Sequence, residues 1–162
     1  MEKESMLMRR SDRALSQEEA IKILEQGEFG NLALAWANEP YTLPVNYLYF
    51  DGKIYIHSAK EGKKLLWLKR NPQVCFSVSH MLQLKKADIA CGYGAYFESV
   101  IAMGNCTLME QHPQKENLLM ELVRKHDPAV KLPPIDETAA DKVSLLEITI
   151  TSISGKGSYP KK

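Results

Sequence analysis

The stretch of this chain that does most to decide its fold reads Tyr55-Ile56-His57-Ser58-Ala59-Lys60-Glu61-Gly62-Lys63-Lys64-Leu65. An apolar strand ends in an imidazole and a hydroxyl, a short turn follows at Gly62, and two lysines open a helix. The amides at a helix start point outward and the helix dipole favours negative charge there, so this arrangement suits a phosphate group. A solvated helix start with surface lysines is the alternative, and both interpretations stay open for the segment taken alone.

The elements on either side of this stretch predict an antiparallel hairpin. Asp51-Gly52 is a strong two-residue hairpin turn, and it joins a strand over Tyr41 to Phe50 to a strand over Lys53 to His57. A short helix over Gly62 to Lys69 stops before Asn71-Pro72, because the residue before proline avoids the helical conformation. The helix start is therefore expected to lie next to the hairpin.

The first part of the chain predicts an arm, a helix and a strand. Met1 to Arg13 is interpreted as an extended or disordered arm. Ser16-Gln17-Glu18-Glu19 is a capping box that begins a helix, and Gly27 ends it. Leu32, Leu34 and Trp36 alternate with alanines as in a strand, and Asn38-Glu39-Pro40 turns the chain.

The later elements complete an antiparallel pattern. In chain order we predict a strand over Val74 to Ser79, a loop over Gln83 to Gly94, a long strand over Ala95 to Glu110 with a bend at Gly104, a helix from Pro113 to His126, a connector over Asp127 to Asp141, a strand over Val143 to Ile150 and a polar tail over Thr151 to Lys162. About six strands, mostly joined by hairpins, with two or three helices predict an α+β fold with a small barrel at its centre. We divide the chain into an arm at 1–13, one domain at 14–156 and a tail at 157–162.

Composition limits the classes of function. The chain has 162 residues, of which 44% are apolar and 25% charged, as in one ordinary globular domain. Its net charge of +1 gives no global electrostatic reason to bind nucleic acid or a membrane surface. No apolar run approaches the roughly 20 residues that span a bilayer, and no signal region follows the charged N-terminus, so we expect a cytoplasmic protein. Cys75, Cys91 and Cys106 form no C-x-x-C pair and predict neither a disulfide framework nor a metal site.

A second unusual stretch is Thr42-Leu43-Pro44-Val45-Asn46-Tyr47. Proline cannot donate to a strand ladder, so a strand that carries it is usually an edge strand. Such a strand leaves backbone groups free to face a flat heterocycle, with the amide of Asn46 beside them. An edge strand protected against aggregation is the alternative. Since the hairpin sets this stretch next to the helix start, the two together predict one ligand with a planar head and a phosphorylated tail.

Other polar residues carry less information from the sequence. Ser99, on the strand that begins Phe97-Glu98-Ser99-Val100, either reaches the same ligand or is an outward-facing strand serine. His80, His112 and His126 show no metal-ligand spacing, and His126 suits a helix C-terminus.

The motifs together resemble a known family. They are Met8-Arg9-Arg10-Ser11-Asp12-Arg13, Pro44-Val45-Asn46-Tyr47, His57-Ser58-Ala59 with Glu61-Gly62-Lys63-Lys64, Asn71-Pro72-Gln73-Val74-Cys75-Phe76, and Glu98-Ser99-Val100-Ile101 with Gly104. Their order and spacing resemble the pyridoxamine 5′-phosphate oxidase-like flavoproteins, and most of all the nitroimidazole-resistance branch. The resemblance runs from Arg9 to about Lys156.

This resemblance implies a split β-barrel that binds FMN, as a homodimer with the flavin at the subunit interface. The residues implied to border the isoalloxazine ring are Thr42, Leu43, Pro44, Val45, Asn46 and Tyr47. Those implied near the ribityl-phosphate are His57 and Ser58, with Lys63 and Lys64 holding the phosphate. Glu98 and Ser99 would complete the site from the other subunit, and Lys156 is the late cation that could approach the flavin.

One departure from the family pattern bears on the reaction. Pyridoxamine phosphate oxidases resemble each other in a C-terminal Arg-x-His pair and a late tryptophan, whereas this chain has no arginine, histidine or tryptophan after His126. We therefore predict an FMN-dependent oxidoreductase that reduces a small molecule such as a nitroaromatic, with NAD(P)H or a redox protein as donor and His57 as candidate proton donor. The alternatives are a non-enzymatic flavin-binding protein, a haem-binding split barrel, and a pyridoxamine 5′-phosphate oxidase.

Overall fold

Strands of an antiparallel sheet alternate with a few helices along the chain. The computed structural model describes residues 8–110 and 114–160. Its strands are β1 (Ala14–Leu15), β2 (Phe29–Trp36), β3 (Glu39–Asn46), β4 (Leu48–Phe50), β5 (Lys53–Ser58), β6 (Gln73–Lys85), β7 (Gly94–Met109) and β8 (Ser144–Ser158). Its helices are α1 (Gln17–Gln26), α2 (Lys63–Arg70), α3 (Lys115–His126) and α4 (Glu137–Ala140). Short 3-10 turns lie at Ser11–Arg13 and Ala90–Gly92.

One sheet contains all the strands and curls back on itself. The strand order is β3-β2-β6-β7-β8-β5-β4, and β1 pairs with β8. The two edge strands, β3 and β4, follow one another in the chain with only Tyr47 between them. Within the described ranges no ladder joins β3 to β4, so the barrel is split and not closed. The predicted α+β split barrel is confirmed.

Two hydrophobic clusters lie on opposite faces of this sheet. The inner cluster packs α1 and α2 against the sheet, and its fully buried side chains include Leu24, Leu32, Tyr47, Ile54, Ile56 and Phe76. The outer cluster packs α3 and α4 against β4, β5 and β8 through Leu48, Tyr55, Leu118, Leu122 and Leu145. On β5, Ile54 and Ile56 face the inner cluster while Tyr55 faces the outer one, as the two-residue period of a strand requires.

Turn and capping predictions agree with the structure. Asp51 and Gly52 have φ of 49° and 76°, and they connect Phe50 to Lys53 in a two-residue hairpin. The Ser16 side chain accepts from the Glu19 amide, and the Glu19 carboxylate accepts from the Ser16 amide, so the capping box of α1 is confirmed.

The turn before β3 lies slightly earlier than the predicted Asn38-Glu39-Pro40. Ala37 and Asn38 have φ of 52° and 63° and form the turn themselves. Glu39 and Pro40 already belong to β3, where they pair with Trp36 and Ala35. Because β3 is an edge strand, its prolines fit without loss of ladder hydrogen bonds, as predicted.

The predicted single strand over Tyr41 to Phe50 is two strands, β3 and β4. Tyr47 breaks it because its side chain turns into the core. The Tyr47 hydroxyl donates to the Leu24 carbonyl oxygen at 2.7 Å, and its ring packs edge-on against Phe76 at 4.8 Å. This anchor ties the end of β3 to α1.

The loop predicted over Gln83 to Gly94 is shorter than expected. β6 continues to Lys85 and pairs with β7 from Gly94 onward, after an irregularity between Met81 and Gln83. These strand residues carry exposed apolar side chains, so the alternation of buried and exposed positions that marks a strand is weak there.

The polar tail predicted over Thr151 to Lys162 is wrong for most of its length, because β8 continues to Ser158. Gly155 faces α1 and β1, where an added Cβ would lie 2.9 Å from the Cβ of Leu15 and 3.0 Å from that of Ala20. The glycine allows this close packing but carries no apolar side chain to reveal it. Gly104 gives the predicted irregularity in β7, where the register to β8 shifts.

The remaining predictions concern the helical region and the arm. α3 ends at His126 as predicted, while its predicted start at Pro113 lies outside the described residues, as do His112 and the arm residues 1–7. The connector over Asp127 to Asp141 contains α4, whose first turn is capped by Asp136. None of the helices in the described part of the chain is long and apolar enough to cross a membrane.

Candidate functional site

The hairpin brings the two predicted ligand-binding stretches together. Leu48 pairs with Tyr55 on β4 and β5, and β3 ends at Asn46, two residues before Leu48. The Asn46 amide nitrogen lies 3.3 Å from Nε2 of His126, the last residue of α3. Asn46 therefore connects the proline-bearing strand to the imidazole at the end of α3.

Three basic side chains lie near this point, and we call His57, Lys64 and His126 the basic cluster. Burial lowers the pKa of His57, and the charges of Lys64 and then His126 lower it further. Burial also lowers the pKa of Lys64. No carboxylate in the described ranges lies within ion-pair distance of these three residues. Lys64 therefore has no counter-charge among the residues that the structure describes.

The start of α2 adds backbone donors to the basic cluster. Gly62 precedes the helix with φ of 123° and ψ of 169°, a conformation that only glycine adopts readily. No side chain caps the helix, so its first amides have no side-chain acceptor. An uncapped helix start that carries an uncompensated lysine is suited to an anion.

The two lysines at the start of α2 do not point the same way. The Lys63 ammonium lies 4.8 Å from the ring centre of Tyr41 and 4.5 Å from that of Trp67. Lys64 instead lies on the side of His57 and Cys106, whose pKa values respond to its charge. Consecutive helix residues project about 100° apart, which explains the separation.

Side chains of β3 divide between the two faces as the alternation predicted. Thr42, Pro44 and Asn46 face outward, whereas Leu43 and Val45 pack against the inner cluster. Tyr47, which the resemblance placed at the ring, is fully buried in the core. Burial raises the pKa of its phenol. Thr42, Pro44 and Asn46 are thus the side chains of this stretch that a planar ligand on the outer face can touch.

Ser58 and His57 also diverge. They are neighbours on β5, so their side chains leave opposite faces of the strand. Ser58 is 5% exposed, whereas His57 is exposed. Of the two, His57 is the one open to a ligand outside the sheet.

Glu98, Ser99 and Lys156 lie elsewhere on the sheet. Ser99 pairs with Lys156, and its hydroxyl donates to the Lys156 carbonyl oxygen at 3.3 Å. Ser99 is seven residues along β7 from Cys106, a span of roughly 23 Å, and Lys64 lies close enough to Cys106 for its charge to oppose the rise that burial causes in the pKa of that thiol. One chain therefore does not bring Ser99 or Lys156 to Lys64.

Glu98 belongs to a separate set of polar contacts, which we call the Glu98 network. One carboxylate oxygen lies 3.1 Å from Nδ1 of His80, and the other accepts from the Tyr159 hydroxyl at 3.2 Å. Because Glu98 and Ser99 are consecutive strand residues, they face opposite sides of the sheet.

Sequence reasoning missed two residues near the basic cluster. Phe29 pairs with Asn46 across β2 and β3, is 58% exposed, and has its ring 6.4 Å from that of His126. Lys125 donates to the Tyr47 carbonyl oxygen at 3.1 Å, and burial lowers its pKa to about 8. The sequence signal for Phe29 is its position in β2, where it alternates with the buried residues and therefore faces outward.

The side chains at these positions are not suited to metal binding or to thiol chemistry. No set of three or more metal-ligating side chains occurs in the part of the chain that the structure describes. Burial raises the pKa of the Cys106 thiol to about 12, which keeps it protonated. What the geometry can do is hold an anion at the basic cluster and a planar group along the outer face of β3.

Solved structures share this fold. A candidate 5-nitroimidazole antibiotic resistance protein from Bacteroides thetaiotaomicron is 23% identical over 88% of this chain and 85% of its own, with a TM-score of 0.76. A flavocytochrome from Azotobacter vinelandii is 20% identical over 95% of this chain and 73% of its own, with a TM-score of 0.83. An FAD-binding protein from Mesorhizobium loti is 26% identical over 91% of this chain and 98% of its own, with a TM-score of 0.69.

Sequence comparison agrees with the likeness in fold. No curated protein sequence gave a match. The family model described as pyridoxamine 5′-phosphate oxidase matches residues 16–157, which is nearly the whole chain. This confirms the resemblance that the motifs indicated: the chain belongs to the pyridoxamine 5′-phosphate oxidase family.

Proposed function

We propose that this protein binds FMN and acts as an oxidoreductase on a small molecule such as a nitroaromatic. The observation that carries the proposal is the basic cluster, in which Lys64 is half-buried next to His57 and no carboxylate of the described residues neutralises it. Leaving a half-buried ammonium without a counter-charge is costly, and a phosphate would remove that cost.

The residues present fit a flavin with a single phosphate. Lys64, His57 and the first amides of α2 would hold the phosphate, with Lys63 on its other side. Thr42, Pro44 and Asn46 would border the ring from the outer face of β3. A bound flavin would supply the electron transfer, while the protein positions it and controls access. Solved neighbours described as an FAD-binding protein and a flavocytochrome support a flavin.

We propose further that the site is completed by a second subunit. The outer face of the sheet exposes apolar side chains, with Ile101 47% and Met103 45% exposed. Ser99 and Lys156 share that face and lie far from Lys64 of their own chain, so a partner's copy is needed to bring them to the ligand. Sedimentation velocity on wild type and Met103→Lys tests this: a dimer that the lysine converts to a monomer is expected.

The reaction consumes two electrons and two protons when a nitro group is reduced to a nitroso group and water. NAD(P)H or a redox protein would supply the electrons. His57 is the candidate proton donor, because its imidazole is exposed at the proposed site and its lowered pKa makes it release a proton readily. At neutral pH the lowered pKa keeps most of the imidazole neutral, so the proton would come from its protonated minor form, while the neutral form donates a hydrogen bond through one ring nitrogen.

Haem is the second candidate ligand, because the Azotobacter vinelandii neighbour is a flavocytochrome. His126 is exposed and lies within reach of only Asn46 among the hydrogen-bond partners in the described chain, so its imidazole is accessible to iron. A non-enzymatic flavin-binding protein and a pyridoxamine 5′-phosphate oxidase are further alternatives, the last weakened by the missing late arginine and histidine.

An absorbance spectrum of the purified protein, before and after addition of NADPH, separates these candidates. Flavin bands that bleach with NADPH support the oxidoreductase, stable flavin bands support a binding protein, and a Soret band supports haem. Mass spectrometry of the released cofactor decides between FMN and FAD.

Replacing both Lys63 and Lys64 by Ala is expected to weaken FMN binding at least tenfold. An unchanged affinity would contradict the assignment of these residues to the phosphate.

A further inference from the structure

An apolar cavity of about 310 Å³, open to solvent, lies between α3, α4 and the outer face of the sheet. Its described lining consists of His57, Leu119, Leu122, Val123, Ile135, Ala139 and Val143. Six of these side chains are hydrocarbon, and His57 is the polar one. The cavity adjoins the outer hydrophobic cluster, to which Leu119, Leu122, Ile135 and Val143 also belong.

The volume of this open cavity is in the range of small-ligand sites. Small-molecule pockets begin at roughly 300 Å³ and combine apolar walls with a few polar groups. About 310 Å³ therefore accommodates a substituted single ring.

The chemistry of the walls restricts the ligand. No carboxylate, lysine or arginine belongs to the described lining, so six of its seven side chains offer a ligand apolar contacts alone. A neutral imidazole has one donor nitrogen and one acceptor nitrogen, so His57 can bond to either kind of substituent. These walls favour an uncharged ring with one polar group.

We propose that this cavity binds a small uncharged aromatic molecule, with the ring between α3 and α4 and a single polar substituent against His57. His57 also belongs to the basic cluster, so the cavity and the anion site share this residue. The role of the cavity as the pocket for the molecule that is reduced rests on the proposed function. The binding itself does not.

Nitrobenzene is a suitable probe, because it is uncharged, flat and carries one polar substituent. Titration of the full-length protein with nitrobenzene, followed by amide chemical shifts, is expected to give saturable changes that include His57, Val123 and Ala139. The absence of saturable changes at these residues would overturn the proposal.

Variants that fill the cavity give the sharper test. Ala139→Phe adds a ring to the lining and should weaken nitrobenzene binding at least tenfold. Thr138→Phe changes the preceding residue of α4, which is outside the described lining. This variant is the matched control and should bind as wild type. Val123→Phe fills the cavity from α3 and is used alongside, with circular dichroism to confirm folding. Wild-type affinity in folded Ala139→Phe and Val123→Phe would overturn the proposal.

The flavin content of each sample keeps this result separate from the proposed function. Cofactor-free protein that binds nitrobenzene and loses binding in Ala139→Phe supports the cavity, whatever the spectrum shows. Protein that contains flavin but whose nitrobenzene affinity does not change with Ala139→Phe refutes the cavity and leaves the flavin proposal intact. His57→Leu should weaken nitrobenzene binding about threefold to tenfold by removing the polar contact.

Discussion

His57 on β5 and His80 on β6 stand in contrasting polar surroundings. His57 lies next to Lys64 and His126, and the described part of the chain brings no carboxylate within ion-pair distance of these three residues. His80 lies 3.1 Å from Glu98, whose other oxygen accepts from Tyr159. The second set satisfies its own charges and hydrogen bonds, and the first does not.

The difference teaches where a ligand is needed. A carboxylate that already accepts two hydrogen bonds gains little from a further partner, so the Glu98 network acts within the fold. An uncompensated lysine at an uncapped helix start gains a strong charge-assisted bond when an anion arrives. We therefore expect changes in the basic cluster to alter ligand binding and changes in the Glu98 network to alter stability.

The largest effect is expected from Lys64→Glu. The change removes a charge-assisted bond and adds repulsion to the phosphate, so FMN affinity should fall at least 100-fold, or about 2.7 kcal/mol. Quenching of FMN fluorescence measures the affinity. Lys22→Glu, an exposed lysine on α1, makes the same charge change and should bind within threefold of wild type. Equal losses in both variants would mean that net charge, and not the basic cluster, governs binding.

Gly62→Ala should have the next largest effect. The backbone at Gly62 has φ of 123°, so a Cβ strains it by about 1–3 kcal/mol although the space around it is open. Relief of that strain moves the first amides of α2, so FMN affinity should fall about tenfold as well. Gly52→Ala, in the Asp51-Gly52 turn with φ of 76°, is the control. It should lose stability in urea unfolding and keep its FMN affinity.

Glu98→Ala tests the expectation that the Glu98 network contributes to stability and not to ligand binding. It leaves His80 and Tyr159 without their shared acceptor, so the free energy of unfolding should fall by roughly 1–3 kcal/mol. FMN affinity should stay within threefold, because the Glu98 side chain faces away from Ser99. Urea unfolding and FMN titration on the same samples measure both quantities, with the exposed Glu39→Ala as control. A tenfold loss of FMN affinity without loss of stability would restore Glu98 as a cofactor contact.

The fold was predictable where local chemistry determines it. The Asp51-Gly52 turn and the capping box of α1 follow from a few neighbouring residues, and both are confirmed. The end of β8 was not predictable, because its inward position at Gly155 has no apolar side chain and its other face is polar. Small residues that allow close packing leave no hydrophobic period in the sequence.

In the candidate site, too, some features follow from local sequence and others depend on tertiary packing. The Asp51-Gly52 turn, which the sequence specifies, pairs β4 with β5 and so places the end of β3 near the end of β5. The contact between Asn46 and His126 joins residues 80 positions apart, and it depends on how α3 packs over the outer cluster. The separate directions of Lys63 and Lys64 depend on the rotation of α2 against β3, which tertiary contacts set.

The smallest expected effect is a pH dependence of stability that comes from His57. Its pKa in the folded protein is below the unfolded value of about 6.5, so between these two pKa values the unfolded state binds more protons. The contribution of His57 to stability is therefore fully present above about pH 6.5 and declines as the pH falls towards the folded pKa. Urea unfolding of the ligand-free protein at pH 7.5, 6.5 and 5.5 should show wild type losing stability relative to His57→Gln. Wild type gaining stability relative to the variant at pH 5.5 would mean that a carboxylate compensates His57 after all, and the contrast with His80 would disappear.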